Sequence, residues 1–264
     1  MLKMTDKPHF IDGVYNYCDR WCERCPLTSR CHLFVIEKHI QAEKKTRPID
    51  AGTFWDAMND LFDEQAPEAF NAFDEFGIEF PDDDEADQDM ASRMEARHEA
   101  AHEHPLARKS REYASRAKRW LERHAAMLLS NSTPEASDLG EGEANAEQGR
   151  EPTVINLNDA IKVVHWYECQ IGIKLMRALT QDPDAEEQFD EDPIQNDANG
   201  SAKVSLLGIR RSLAAWHFIR QHMPGQSDEL LDFMLTLNRI RRGIQHRFPH
   251  AQAFVRPGFD RPED

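Results

Sequence analysis

The chain has 264 residues, enough to bury a real core in one large or two small domains. Its 48 Asp and Glu outnumber 32 Lys and Arg, leaving a net charge of −16 that argues against a non-specific nucleic-acid binder, which needs a basic surface. No apolar run approaches the roughly 20 residues of a membrane span, and the polar start 1–8 is followed by no apolar leader, so a soluble, cytoplasmic protein is expected.

The N-terminal stretch Phe10-Ile11-Asp12-Gly13 is a short entry with a turn at the glycine. Four of the five cysteines follow, Cys18, Cys22, Cys25 and Cys31, spaced C-x3-C-x2-C-x5-C. A thiolate is a soft ligand, and four close thiolates suit tetrahedral zinc or an iron–sulfur cluster. Disulfides are the alternative, but with no export signal a metal site is expected. Zinc ribbons place two CxxC pairs on separate knuckles, roughly 15–20 residues apart. Here all four ligands share one loop, which suits a cubane better. A [4Fe–4S] cluster on Cys18, Cys22, Cys25 and Cys31 is therefore expected, with zinc as the alternative. Arg20, Arg24 and Arg30 could offset the cluster's charge.

The segment from Cys22 to Cys31, with Pro26-Leu27 after the third cysteine, resembles the [4Fe–4S] loop of endonuclease III-type DNA glycosylases. Their pattern is C-x6-C-x2-C-x5-C, so the likeness departs at the first spacing. It extends to no catalytic motif and implies a cluster type, not an activity. The C-x3-C-x2-C triplet also matches radical SAM proteins, but their alternating β/α barrel has no counterpart here.

Periodicity predicts a helix from Thr28 to about Lys45, with Cys31 in its first turn, where the helix dipole favours thiolate. Lys38 falls near the apolar side and would snorkel. Short amphipathic helices are expected over Thr53–Asp63 and Ala66–Phe76. The acidic run Pro81–Asp87 lacks EF-hand spacing and reads as a solvated loop or helix start. A polar helix over Glu85–His104 contains His98-Glu99-Ala100-Ala101-His102, a formal HExxH. In zincins the two histidines bind zinc and the glutamate is the base. Glu103 and the missing apolar face argue against that here.

Pro105 starts a helix to about Leu129, with Leu106, Tyr113, Ala117, Trp120, Leu121, His124 and Leu128 inward. The low-complexity stretch Ser130–Pro152 is expected to be a linker. Asn156–Thr180 is the most apolar helix and should be central. Its His165-Trp166-Tyr167-Glu168 raises a carboxylate–histidine metal site, but a di-iron bundle needs ExxH twice with two further glutamates, so a satisfied core His–Glu pair is expected. Cys169 reads as a small core residue. Gln181–Gly200 is read as an acidic loop. A helix follows from Ser201 to about His222, ended by Pro224-Gly225, and a last one runs from Asp228 to about Phe248. The last carries Arg239, Arg241, Arg242 and Arg247 outward, read as an electrostatic match to the acidic middle or as a docking patch. The tail from Pro249 is rich in proline and charge.

The cysteine-rich start, the His-Trp-Tyr-Glu helix with Lys174 and Arg177, and the later Gly-Ser-Ala-Lys-Val and Arg-Arg-Ser-Leu-Ala-Ala-Trp stretches together resemble a group of uncharacterised bacterial proteins, a likeness that implies no activity. No strand pattern appears, so the fold is expected to be all-α, about six to seven helices. The expected parts are a cysteine loop and first helix (1–47), an acidic helical region (48–130), a linker (131–153), a core bundle (154–248) and a tail (249–264). The function expected is a metal-binding helical protein with a structural, redox-sensing or electron-transfer role. The alternatives are a zinc-stabilised protein-interaction module and an HExxH hydrolase on His98, Glu99 and His102. A protein partner is expected; nucleic acid and membrane are not.

Overall fold

The structure, a computed structural model, describes residues 10–38, 84–131, 156–181 and 192–260. It is all-α, with no strand among the described residues. Five long helices follow in order: α1 (Asp84–Glu103), α2 (Pro105–Asn131), α3 (Leu157–Thr180), α4 (Asp197–His222) and α5 (Ser227–Arg247). The chain is also helical over 32–38. It divides into two compact units, one of residues 1–31 and 95–264, the other of residues 32–94. In the second unit the described residues are helical, and the Lys38 ammonium lies 5.4 Å from the Phe34 ring centroid while its side chain reaches solvent. The helices expected at Thr53–Asp63 and Ala66–Phe76 and the linker within 132–152 lie outside the described residues.

Helices α2 to α5 form an antiparallel four-helix bundle, each packed on its neighbours in a closed ring. The direction follows from named pairs: Gly172 faces Ser110, Gly208 faces Tyr167, and Asp232 pairs with Arg116. The inward residues are those the 3.6-residue period selects. Tyr113, Ala117 and Trp120 of α2 meet Val164, Ile171 and Leu175 of α3, Ile209, Trp216 and Ile219 of α4, and Phe233, Leu237 and Ile240 of α5. At the centre Trp216 stacks on Phe233 at 4.8 Å and meets Trp120 edge-on at 5.2 Å. Its indole N–H donates to Tyr113 Oη at 3.0 Å, whereas the buried Trp120 indole N–H has no acceptor among the described residues.

Three boundaries differ from expectation. Helix α4 begins at Asp197 rather than Ser201, because Asn196 caps it by accepting the Asn199 N–H, leaving Gly200 inside the helix. Gly200 is there for proximity, since a Cβ on it would lie 2.4 Å from the Tyr17 ring. Cys31 is not in a first helical turn. It is extended, after a 3-10 turn at Thr28–Arg30, and the helix starts at His32. The C-terminal stretch is no loose tail, since Phe248, Ala251 and Phe254 are buried and Lys203 binds both the Phe254 carbonyl and Asp260.

A cysteine loop clamped to the bundle

The segment 10–31 folds as successive tight turns. The Ile11 N–H donates to the Arg30 carbonyl at 3.0 Å, closing its two ends on each other. Ile11 and Val14 are buried, and Ile11 lies against Gly258 of the C-terminal stretch. Cys22–Arg24 and Thr28–Arg30 are single 3-10 turns, which set Cys22 and Cys25, then Thr28 and Cys31, three residues apart across one turn. Arg20 sits at φ +60°, a left-handed conformation uncommon outside glycine. There its N–H donates to the Cys18 sulfur, and the Leu27 N–H does the same for Cys25.

The bundle holds this loop through side chains from two helices. The Asp19 carboxylate accepts hydrogen bonds from Tyr167 Oη on α3 and from the Arg211 guanidinium on α4. Its carbonyl accepts the Trp166 indole N–H at 3.0 Å. Lys174, buried on α3, donates to the Asn16 carbonyl at 3.1 Å. Trp21 stacks on Trp166 with centroids 5.1 Å apart, and Arg24 lies 4.0 Å above Trp21 while pairing with Asp159. Tyr17 packs on Phe254 at 4.6 Å. These contacts involve none of the four sulfurs.

All four loop cysteines are half-buried free thiols, and no disulfide joins any of them. Burial pushes the Cys25 thiol up to about 11; the Leu27 N–H pulls the other way, and the charges of Cys18, Asp19 and Cys22 push it further. Burial also raises Cys18, opposed by the Arg20 N–H and the Lys174 cation. Lys174 is itself lowered by burial, with Cys18 countering. Three of the thiols and two cations, Lys174 and Arg20, thus lie within electrostatic reach of one another. Among the described residues, no group of three or more His, Cys, Asp or Glu side chains is drawn together tightly enough to hold a metal ion.

The other candidates fare differently. His98, Glu99 and His102 lie on the exposed side of α1, where the His102 ring meets the neighbouring Glu103 carboxylate at 3.2 Å and its carbonyl accepts from Arg111 at 2.8 Å. The His-Trp-Tyr-Glu stretch does double duty: Trp166 and Tyr167 face the cysteine loop, while Glu168 turns into the core. The expected core His–Glu pair is half right. Glu168 is 4% exposed, but His165 is 72% exposed at 3.4 Å from it, and Glu168 Oε2 has no hydrogen-bond partner. Cys169 is exposed rather than a core residue, one position beyond the buried face. Sequence reasoning missed the Asp19, Tyr167 and Arg211 clamp, because these residues are 44 or more positions apart wherever two helices are involved and their spacing carries no motif. The available signal was Asp19 beside the first cysteine and Trp21 between the first two.

Comparison with protein families, with curated proteins and with solved structures finds no match, so function rests on this chain's own residues.

Proposed function

We propose that the protein is a helical metalloprotein in which Cys18, Cys22, Cys25 and Cys31 hold a [4Fe–4S] cluster with a structural, redox-sensing or electron-transfer role. The observation that carries this reading is the pair of backbone N–H donors, of Arg20 and Leu27, that stand against the sulfurs of Cys18 and Cys25. Such donors stabilise thiolate and tune a cluster's potential. Lys174 and Arg20 supply positive charge beside Cys18, which suits an anionic four-thiolate centre. Four cysteine ligands would leave no iron open to substrate, so the chemistry expected is electron exchange or sensing rather than bond making. The zinc-stabilised interaction module uses the same four ligands. The hydrolase reading gains no support, since no third ligand gathers with His98 and His102 among the described residues.

The test is anaerobic purification with iron, sulfide and zinc analysis. Iron and sulfide in equal amounts with broad visible absorption support the cluster. Zinc without sulfide selects the interaction module. Metal-free protein with full native stability overturns both.

A further inference from the structure

The net charge of −16 is not spread over the molecule. The described residues of the larger compact unit carry 23 Lys and Arg against 16 Asp and Glu, a net +7. The rest of the chain carries 9 against 32. Within that unit the surplus concentrates further. Helices α2 and α5 run antiparallel: Arg123 pairs with Glu229, Arg116 with Asp232, and Gly243 faces Leu106. The first turns of α2 therefore lie beside the last turns of α5. At this end α2 contributes Arg108, Lys109 and Arg111 against the single Glu112, and α5 contributes Arg239, Arg241 and Arg242. No Asp or Glu occurs between Phe233 and Phe259.

Two features separate this cluster from an ordinary solvated face. Arg108 closes the first turn of α2, which holds no acidic residue and where the dipole disfavours a cation by a few tenths of a kcal/mol. No described carboxylate pairs with Arg108, Lys109, Arg239 or Arg242, although every acidic residue of the opposite half of α5 except Asp228 does pair with an α2 arginine. An anionic partner supplies what is missing.

We propose that this end of the α2–α5 pair is a docking surface for the phosphodiester backbone of a nucleic acid. Five of the six side chains are arginine, whose planar fork matches phosphate bidentately. Among the described residues no exposed large apolar side chain lies on α2, or on α5 beyond Leu235, so the six cations enclose no apolar centre of the kind a protein interface needs. Nucleic-acid interfaces are polar and strongly positive. Backbone contacts carry no sequence information, so binding is expected to be sequence-indifferent and steeply salt-dependent. This inference is independent of the metal reading.

The experiment is fluorescence anisotropy of the full-length protein, as purified, with a fluorescein-labelled DNA duplex of two helical turns across a salt series. The wild type is expected to bind at low salt. The triple variant Arg108→Gln/Arg239→Gln/Arg242→Gln, all three exposed, should lose about tenfold or more in affinity and about 2–3 in the log–log salt slope. Unchanged melting keeps that loss from being unfolding, and the single variants should each show part of it. Arg123→Gln, in the carboxylate-paired half, should bind as the wild type does. Absence of binding at low salt, or equal binding by the triple variant, overturns the proposal. Equal or tighter binding of a polyglutamate peptide or of phosphatidylserine vesicles through the same residues overturns it in favour of an acidic protein or a lipid surface.

Discussion

Glu168 illustrates what a single residue is asked to tolerate. It is almost wholly buried, one oxygen contacts His165, and the other has no partner. Burial raises its pKa above the ordinary 4.5; His165 and Lys118 pull it down and Glu122 pushes it up. The folded state therefore holds its proton more tightly than the unfolded state. The stabilising effect of that proton is complete below pH 4.5 and is lost as pH rises through the folded pKa. Glu168→Gln keeps the shape and removes the ionisation. Its melting temperature should exceed that of the wild type at neutral pH, with the gap closing towards pH 4.5. A uniform loss at every pH would mean that the ionised carboxylate is needed. Asp260 has the opposite sign. Burial would raise it, but hydrogen bonds from Arg256 and Lys203 hold it at about 2. Its contribution is present above pH 3.8 and fades as pH falls towards about 2.

Between elements, the informative contacts are those that fix the cysteine loop to α3 and α4. Asp19 accepts from Tyr167 and Arg211 at once, so Asp19→Asn removes the charge from two hydrogen bonds and should cost about 1.5–3 kcal/mol of stability. A double-mutant cycle with Arg211→Gln should show coupling, and amide exchange should rise over 10–31 before it rises in the bundle core. Equal protection in the variant would place the anchorage in the apolar contacts of Ile11 and Val14 alone. The same join is testable from the helix side. Gly200→Ala drives a methyl to 2.4 Å from the Tyr17 ring and 2.8 Å from Phe254, and should destabilise by about 1–3 kcal/mol. Gly225→Ala meets nothing within 4 Å and should be close to neutral. The helices themselves were legible because burying one face of a helix imposes a 3.6-residue period on the sequence. The residues of α2 to α5 that the period selects are nearly all inside, the exceptions lying at stripe edges, such as Cys169. The start of α4 was hidden because Asn199-Gly200 reads as a turn, and only the Tyr17 and Phe254 rings explain a glycine inside that helix.

For the molecule as a whole, the metal reading makes a sharp distinction among five cysteines. Substituting alanine for Cys18, Cys22, Cys25 or Cys31 should lower bound metal, while Cys169→Ala should leave it intact with little change in stability. Because the Asp19 clamp and the buried Ile11 and Val14 hold the loop independently of the sulfurs, these variants should still fold, with local rather than global loss of protection. Full metal retention in all four loop variants would end the reading. Cysteine spacing is a local property, and so was readable along the chain. So was the all-α class, since periodicity is local too. Net charge is a sum, and a sum discards position. Read along the chain it argued against nucleic acid, yet folding places the basic first turns of α2 beside the basic last turns of α5. The clamp on the loop has the same character, since it joins residues whose proximity arises when α3 and α4 pack. Local composition and period are written into neighbouring residues, whereas the meeting of distant ones depends on which helix faces are buried together.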